Sequence, residues 1–117
     1  MQPVAADNDA RYRYLYIEAA RQMDMQHYTQ AFELFRQCNA IRPNAPETLF
    51  ALGRLYAIAK QDSLGLSLIK KASILAPENT EFAERLANGY LFDNQIDSAT
   101  SVYERLSAAH PERTEYL

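Results

Sequence analysis

Two histidines, one cysteine and a pair of aspartates are the side chains whose chemistry could reach beyond packing, and their spacing decides what they can do. His27 sits in a polar stretch and His110 directly precedes Pro111. Neither has a second histidine or a thiolate at ligand spacing, so both read as turn residues rather than metal ligands. The segment DNQID at 93–97 offers two carboxylates, but it lacks the twelve-residue loop, inner glycine and closing glutamate of a calcium site, and it reads as a connection between helices. Cys38 is the sole cysteine, which excludes an intrachain disulfide and any site built on several thiolates. It falls in a column of the chain shared with Ala72 and Leu106, so it reads as a small buried apolar residue rather than a reactive thiol. No nucleophile elbow accompanies the serines, and Gly53, Gly65 and Gly89 form no phosphate-binding loop. The expectation is a non-enzymatic chain with no cofactor and no metal.

Composition narrows the class further. The 117 residues are 48% hydrophobic and 23% charged, too apolar for a disordered chain. That length buries about two-thirds of the surface exposed on unfolding. Fifteen acidic against twelve basic side chains give a formal charge of −3 with the signs interspersed. Nucleic acid is therefore not an expected partner, since a phosphate backbone needs a basic face. No run approaches the length of a membrane span, so no membrane insertion is expected. The opening MQPVAADNDA has neither the basic nor the apolar region of a secretory signal, which leaves the compartment open.

The elements that must carry these residues follow from a period. Pro43 and Glu47 in IRPNAPE are followed by Pro77 and Glu81, then by Pro111 and Glu115, each step being 34 residues. A spacing of that length means stacked copies of one unit. In rows starting at Tyr12, Pro46 and Thr80, small residues occupy two columns: Ala19, Gly53, Ala87, and Ala31, Gly65, Ala99. Small side chains at fixed helical positions let two helix backbones approach, so each row reads as a helical hairpin. Gly65 is assigned to that crossing, with Gly65→Leu expected to overpack it and Gly65→Ala expected to be neutral or stabilising. Large apolar residues fill further columns taken as core: Leu15, Leu49, Ala83; Phe35, Ile69, Tyr103; and Ile41, Leu75, Ala109.

Within row two, Leu49, Leu52, Gly53 and Tyr56 recur at helical spacing, as do Leu64, Leu68, Ala72 and Leu75 after KQDS. Asp62 and Ser63 are placed to cap the second helix, and each proline falls where a helix has ended. YRYLY at 12–16 has strand-like alternation, but it runs into IEAARQM without a breaker, so helix is expected.

Two-helix units of this length, with small residues in these columns and a terminal proline, resemble the tetratricopeptide repeat family. The resemblance covers residues 12–113. It rests on Leu49, Leu52, Gly53, Tyr56, Gly65, Ala72 and Pro77 in row two and on Leu86, Ala87, Tyr90, Ala99, Tyr103 and Pro111 in row three. It implies an all-α, right-handed solenoid of three units at 12–45, 46–79 and 80–113, after a flexible tail at 1–11. In row one Glu18 and Gln22 replace the expected leucine and tyrosine, which fits a capping unit whose outer face meets no earlier repeat. TEYL at 114–117 puts Leu117 in the column of Leu15 and Leu49. The expectation is the start of a fourth repeat and the N-terminal portion of a longer bacterial-type array.

The resemblance also implies a concave groove for a peptide or protein segment. Its lining would be Arg13, Tyr16, Ala20 and Met23; Glu47, Phe50, Arg54 and Ala57; and Glu81, Glu84, Asn88 and Leu91. Tyr16 and Phe50 would be neighbouring anchors, Arg54 would face Asn88, and Met23, Ala57 and Leu91 would form an apolar strip. A carboxylate clamp is not expected, because its five positions hold Tyr16, Ala20, Ala51, Glu81 and Arg85, of which only Arg85 is suited. The alternative is a structural or self-assembly segment. Val102, Tyr103 and Leu106 are then expected to leave an apolar stripe on the last helix, able to support a homodimer.

Overall fold

The computed structural model describes the backbone of residues 4–116 and side chains from Asp7 onward. Six helices follow one another: α1 Val4–Asp24, α2 Tyr28–Ile41, α3 Pro46–Ile58, α4 Asp62–Leu75, α5 Thr80–Phe92 and α6 Ile96–Ala109, with a 3₁₀ turn at Thr114–Tyr116. They pack as three hairpins, α1 on α2, α3 on α4 and α5 on α6, and each second helix also packs on the first helix of the next hairpin. The result is an elongated all-α stack of 54 × 29 × 21 Å. The first helix starts well before Tyr12: residues expected as a tail are helical from Val4, and Met1–Pro3 lie outside the described residues. Alanine-rich sequence after Pro3 and Asp7 in the first turn both favour that extension. An ion pair from Arg42 to Asp9 at 2.9 Å ties it to the end of α2.

The small-residue columns mark the hairpin crossings. Ala19 and Ala31, and Ala87 and Ala99, are buried in rows one and three. In row two both partners are glycines, and the backbones are closer: a Cβ on Gly65 would lie 2.7 Å from the carbonyl oxygen of Gly53. Alanine at Gly65 is therefore not the mild change its helix propensity suggests, because the obstacle is backbone that cannot swing aside.

The turns inside the hairpins repeat as closely as the helices do. Gln26, Lys60 and Asn94, each 34 residues from the next, have φ of 62°, 62° and 60°. Around them His27, Gln61 and Gln95 donate backbone N–H to Gln22, Tyr56 and Tyr90, closing the first helix with its own last carbonyls. The next helix starts one residue later, so Asp62 is already inside α4 and neither it nor Ser63 caps it. Gln61 holds the cap position without a side-chain bond. Asp62 and Asp97 instead place carboxylates in the first turns of α4 and α6, where the helix dipole favours them.

Three further expectations change. The column of Ile41, Leu75 and Ala109 reaches the core only at Ile41, which packs on the cluster of Tyr12, Leu15, Cys38 and Ala45. Leu75 is 47% exposed and Ala109 is exposed, because these are the last residues of their helices and Ala76 in the turn after α4 fills the interior instead. Val102 and Leu106 do not form an exposed stripe; they are 3% and 6% exposed, facing the core shared with α5, with Tyr116 folded into the same cluster. Only Tyr103 reaches the outer edge, where Tyr116 covers it at 6.4 Å between ring centroids. Tyr116 takes the row position of Thr48 and Phe82, both buried, while Leu117 lies outside the described residues. At the other end, Glu18 and Gln22 bond to Arg21, to each other and to His27. The outer face they were expected to make polar carries Tyr14 and Ile17, 70% and 68% exposed, at positions where row two buries Thr48 and Ala51 against row one.

Candidate functional site

The first helices of the hairpins, α1, α3 and α5, converge on a cleft of about 330 Å³. Its position is set by how these helices start and lock. Pro46 occupies the first turn of α3, where its missing N–H leaves no bond unmade. Asn79 caps α5 by accepting the Phe82 N–H at 3.1 Å, which fixes the first turn of α5, with Glu81 and Phe82, against the cleft. Between α1 and α3, the buried Tyr12 hydroxyl donates to Glu47 at 2.7 Å and lies 2.8 Å from the fully buried Thr48 hydroxyl. Burial raises the Tyr12 phenol well above its ordinary pKa, so it stays protonated as the donor.

Of the residues expected to line a groove, Tyr16, Ala20, Met23, Glu47, Phe50, Arg54 and Glu81 do meet in this cleft. The anchors differ from expectation. Phe50 is only 6% exposed and packs on Phe82 with the rings tilted by 34° and their centroids 4.4 Å apart, while Tyr16 meets Phe35 edge-on at 5.5 Å. Phe50 and Phe82 thus form floor, and Tyr16, half-buried, is the aromatic side chain a ligand could touch. The Arg54 guanidinium lies 5.8 Å from the Phe50 ring centroid.

Other expected residues lie apart from the cleft. Glu84 accepts the Tyr116 hydroxyl and stands 3.7 Å from Arg113. Asn88 accepts from Tyr103 at 3.1 Å instead of facing Arg54, and with Ala57, Arg85 and Phe92 it borders a second cavity of about 330 Å³. Leu91 and Arg13 are exposed, so the strip of Met23, Ala57 and Leu91 is divided among three places. The cleft also contains Asp24, Asn79, Phe35 and Phe82, which the groove columns did not name. Phe82 had a signal: it is a large ring in the column where row two carries Thr48.

Charge in the cleft is uneven, with Asp24, Glu47 and Glu81 against Arg54. None of the four joins an ion pair among the described residues. The Tyr16 phenol responds to this field: burial raises its pKa first, the Glu47 and Glu81 carboxylates raise it further, and Arg54 opposes them.

Among the described residues, the side chains singled out for their chemistry are held in packing or turn contacts. Cys38 is buried and its thiol pKa is pushed up by burial, away from a nucleophilic thiolate. His27 bonds to Gln22 at 2.8 Å and His110 stands 3.4 Å from Glu112, each held by its own turn. In DNQID, Gln95 donates to Asp93 across the turn. Among the described residues no three donors group for a metal, and no helix is long and apolar enough to cross a membrane.

No family model and no curated protein matches the sequence. Solved structures do match. MamA superposes with a TM-score of 0.77 at 16% identity, over 90% of this chain and 61% of that one, so the chain spans about three-fifths of it. The first TPR of Spaghetti (RPAP3), bound to the HSP90 peptide SRMEEVD, gives 0.78 at 17% identity, over 92% and 85%. The Yersinia enterocolitica type III secretion chaperone SycD, in complex with a peptide of the translocator YopD, gives 0.75 at 16% identity, over 89% and 79%. Identities at this level speak for the fold.

Proposed function

We propose that this chain, an all-α solenoid of the tetratricopeptide-repeat fold, is a non-catalytic interaction module that holds a peptide or protein segment in the cleft between α1, α3 and α5. The observation that carries the reading is the meeting of Tyr16, Met23, Glu47 and Arg54, from two different repeats, on one concavity that Glu81 and Phe82 from a third also line. Burying an aromatic face beside unpaired charges is how a small cleft gains both affinity and orientation. Spaghetti and SycD, solved with peptides, support binding of this kind for the fold.

The test is a random peptide library displayed on phage, selected against the protein, with calorimetric titration of the peptides recovered. Tyr16→Ala and Met23→Ala should each weaken binding about tenfold. Lys71→Ala, on the exposed side of α4, should leave it unchanged. Equal affinity across all variants would overturn the reading.

A second reading, assembly with other copies or repeats, is favoured by one observation: the exposed Tyr14 and Ile17 on α1. Concentration-dependent sedimentation abolished by Ile17→Glu would support it; a monomer at all concentrations would not.

A further inference from the structure

We infer that the segment held in the cleft carries a lysine or arginine beside an apolar side chain. The inference rests on the cleft being the binding surface and adds the chemistry of its occupant. The wall available to a ligand is Tyr16 and Met23, apolar and partly buried, over a floor of Phe50 packed on Phe82. An apolar side chain seated there displaces water from surface that the protein cannot cover itself.

Charge then selects what flanks it. Asp24 and Glu81 line the cleft with exposed side chains, and neither is in an ion pair among the described residues. Glu47 lines it too; one of its oxygens accepts the Tyr12 hydroxyl, and a carboxylate has further lone pairs to offer. Arg54 is the one cation, and it leans toward the Phe50 ring. Among the described residues lining the cleft, three carboxylates against one guanidinium leave it negative. An acidic segment would bring like charges together in a partly desolvated place, whereas a basic one neutralises them and keeps its aliphatic stem on the apolar wall.

Two phage pools test this. Both display an eight-residue segment with two central positions drawn from Leu, Ile and Phe; the flanking positions are Lys or Arg in one pool and Asp or Glu in the other. The basic pool should be enriched, and its best binder should lose affinity as salt is raised. It should also bind about tenfold more weakly to the double variant Asp24→Lys, Glu81→Lys, the scale of two partly exposed ion pairs. Both substitutions are on exposed side chains, and an unchanged melting curve verifies the fold. Enrichment of the acidic pool overturns the inference. So does a basic binder indifferent to the double variant, and if Tyr16→Ala still weakens that binder, the cleft survives while its charge preference does not. Enrichment of neither pool, or a binder indifferent to Tyr16→Ala as well, overturns the cleft itself.

Discussion

Gly53 and Gly65 cross backbone to backbone: a Cβ on Gly65 would stand 2.7 Å from the Gly53 oxygen, and one on Gly53 would stand 2.9 Å from the Gly65 oxygen. Gly65→Ala should therefore destabilise the protein by about 1–3 kcal/mol even though alanine favours helix. Gly89→Ala is the control. Its Cβ would meet the Cδ1 of Leu66, the mobile end of a side chain, so the gain in helix propensity should leave stability equal or higher. Thermal melts followed by circular dichroism check the pair; equal effects would mean that the glycine crossing does not set the hairpin spacing.

Tyr12 should prove the strongest polar tie between rows one and two. Tyr12→Phe strips a fully buried Thr48 hydroxyl of its partner and should destabilise by about 1–3 kcal/mol in urea. The alkaline limb gives an independent check. The phenol pKa is raised by folding, so its contribution is intact below the unfolded value near 10 and is lost as pH rises past it. Above that pH the wild type should lose stability more steeply than Tyr12→Phe; parallel curves would contradict the assignment.

Three left-handed turn residues, Gln26, Lys60 and Asn94, hold a conformation that side chains with a Cβ resist. Lys60→Gly should stabilise by about 1 kcal/mol, and Asn94→Gly by less, since asparagine tolerates this region. A lower melting temperature for Lys60→Gly would show that its side chain contributes packing that outweighs the backbone gain.

Leu106 faces the interior, so Leu106→Glu should unfold the third hairpin by burying an unpaired charge, visible as lost helicity at α6. A fully folded variant with altered self-association would instead restore the exposed stripe that the sequence suggested.

The architecture was legible because it depends on pattern. The 34-residue spacing of Pro43, Pro77 and Pro111, and the small residues at the crossings, dictate hairpins whatever the details. What escaped depends on direction and on backbone. Val102 and Leu106 lie on a helix with apolar residues on adjoining faces, and periodicity alone does not say which face meets α5. Leu75 keeps helical spacing but falls on the last residue of α4, where the chain turns away. In the cleft, Tyr16, Glu47 and Arg54 were found from their columns. Phe50 was misjudged as an anchor because its ring partner, Phe82, lies in a column to which the pattern assigned neither core nor groove. The left-handed turns at Gln26 and Lys60 had no signal, since glutamine and lysine do not mark such positions as glycine would; Asn94 alone of the three is a residue type that favours them.

The central claim, that the concave cleft is the binding surface, is tested most directly by mapping amide chemical shifts of the isotope-labelled protein while a selected peptide is added. The largest changes are expected around Tyr16–Asp24, Glu47–Arg54 and Asn79–Phe82, stretches separate in sequence that meet at the cleft. Changes centred on α2, α4 and α6, or on the face of Tyr14 and Ile17, with the cleft amides unmoved, would contradict it.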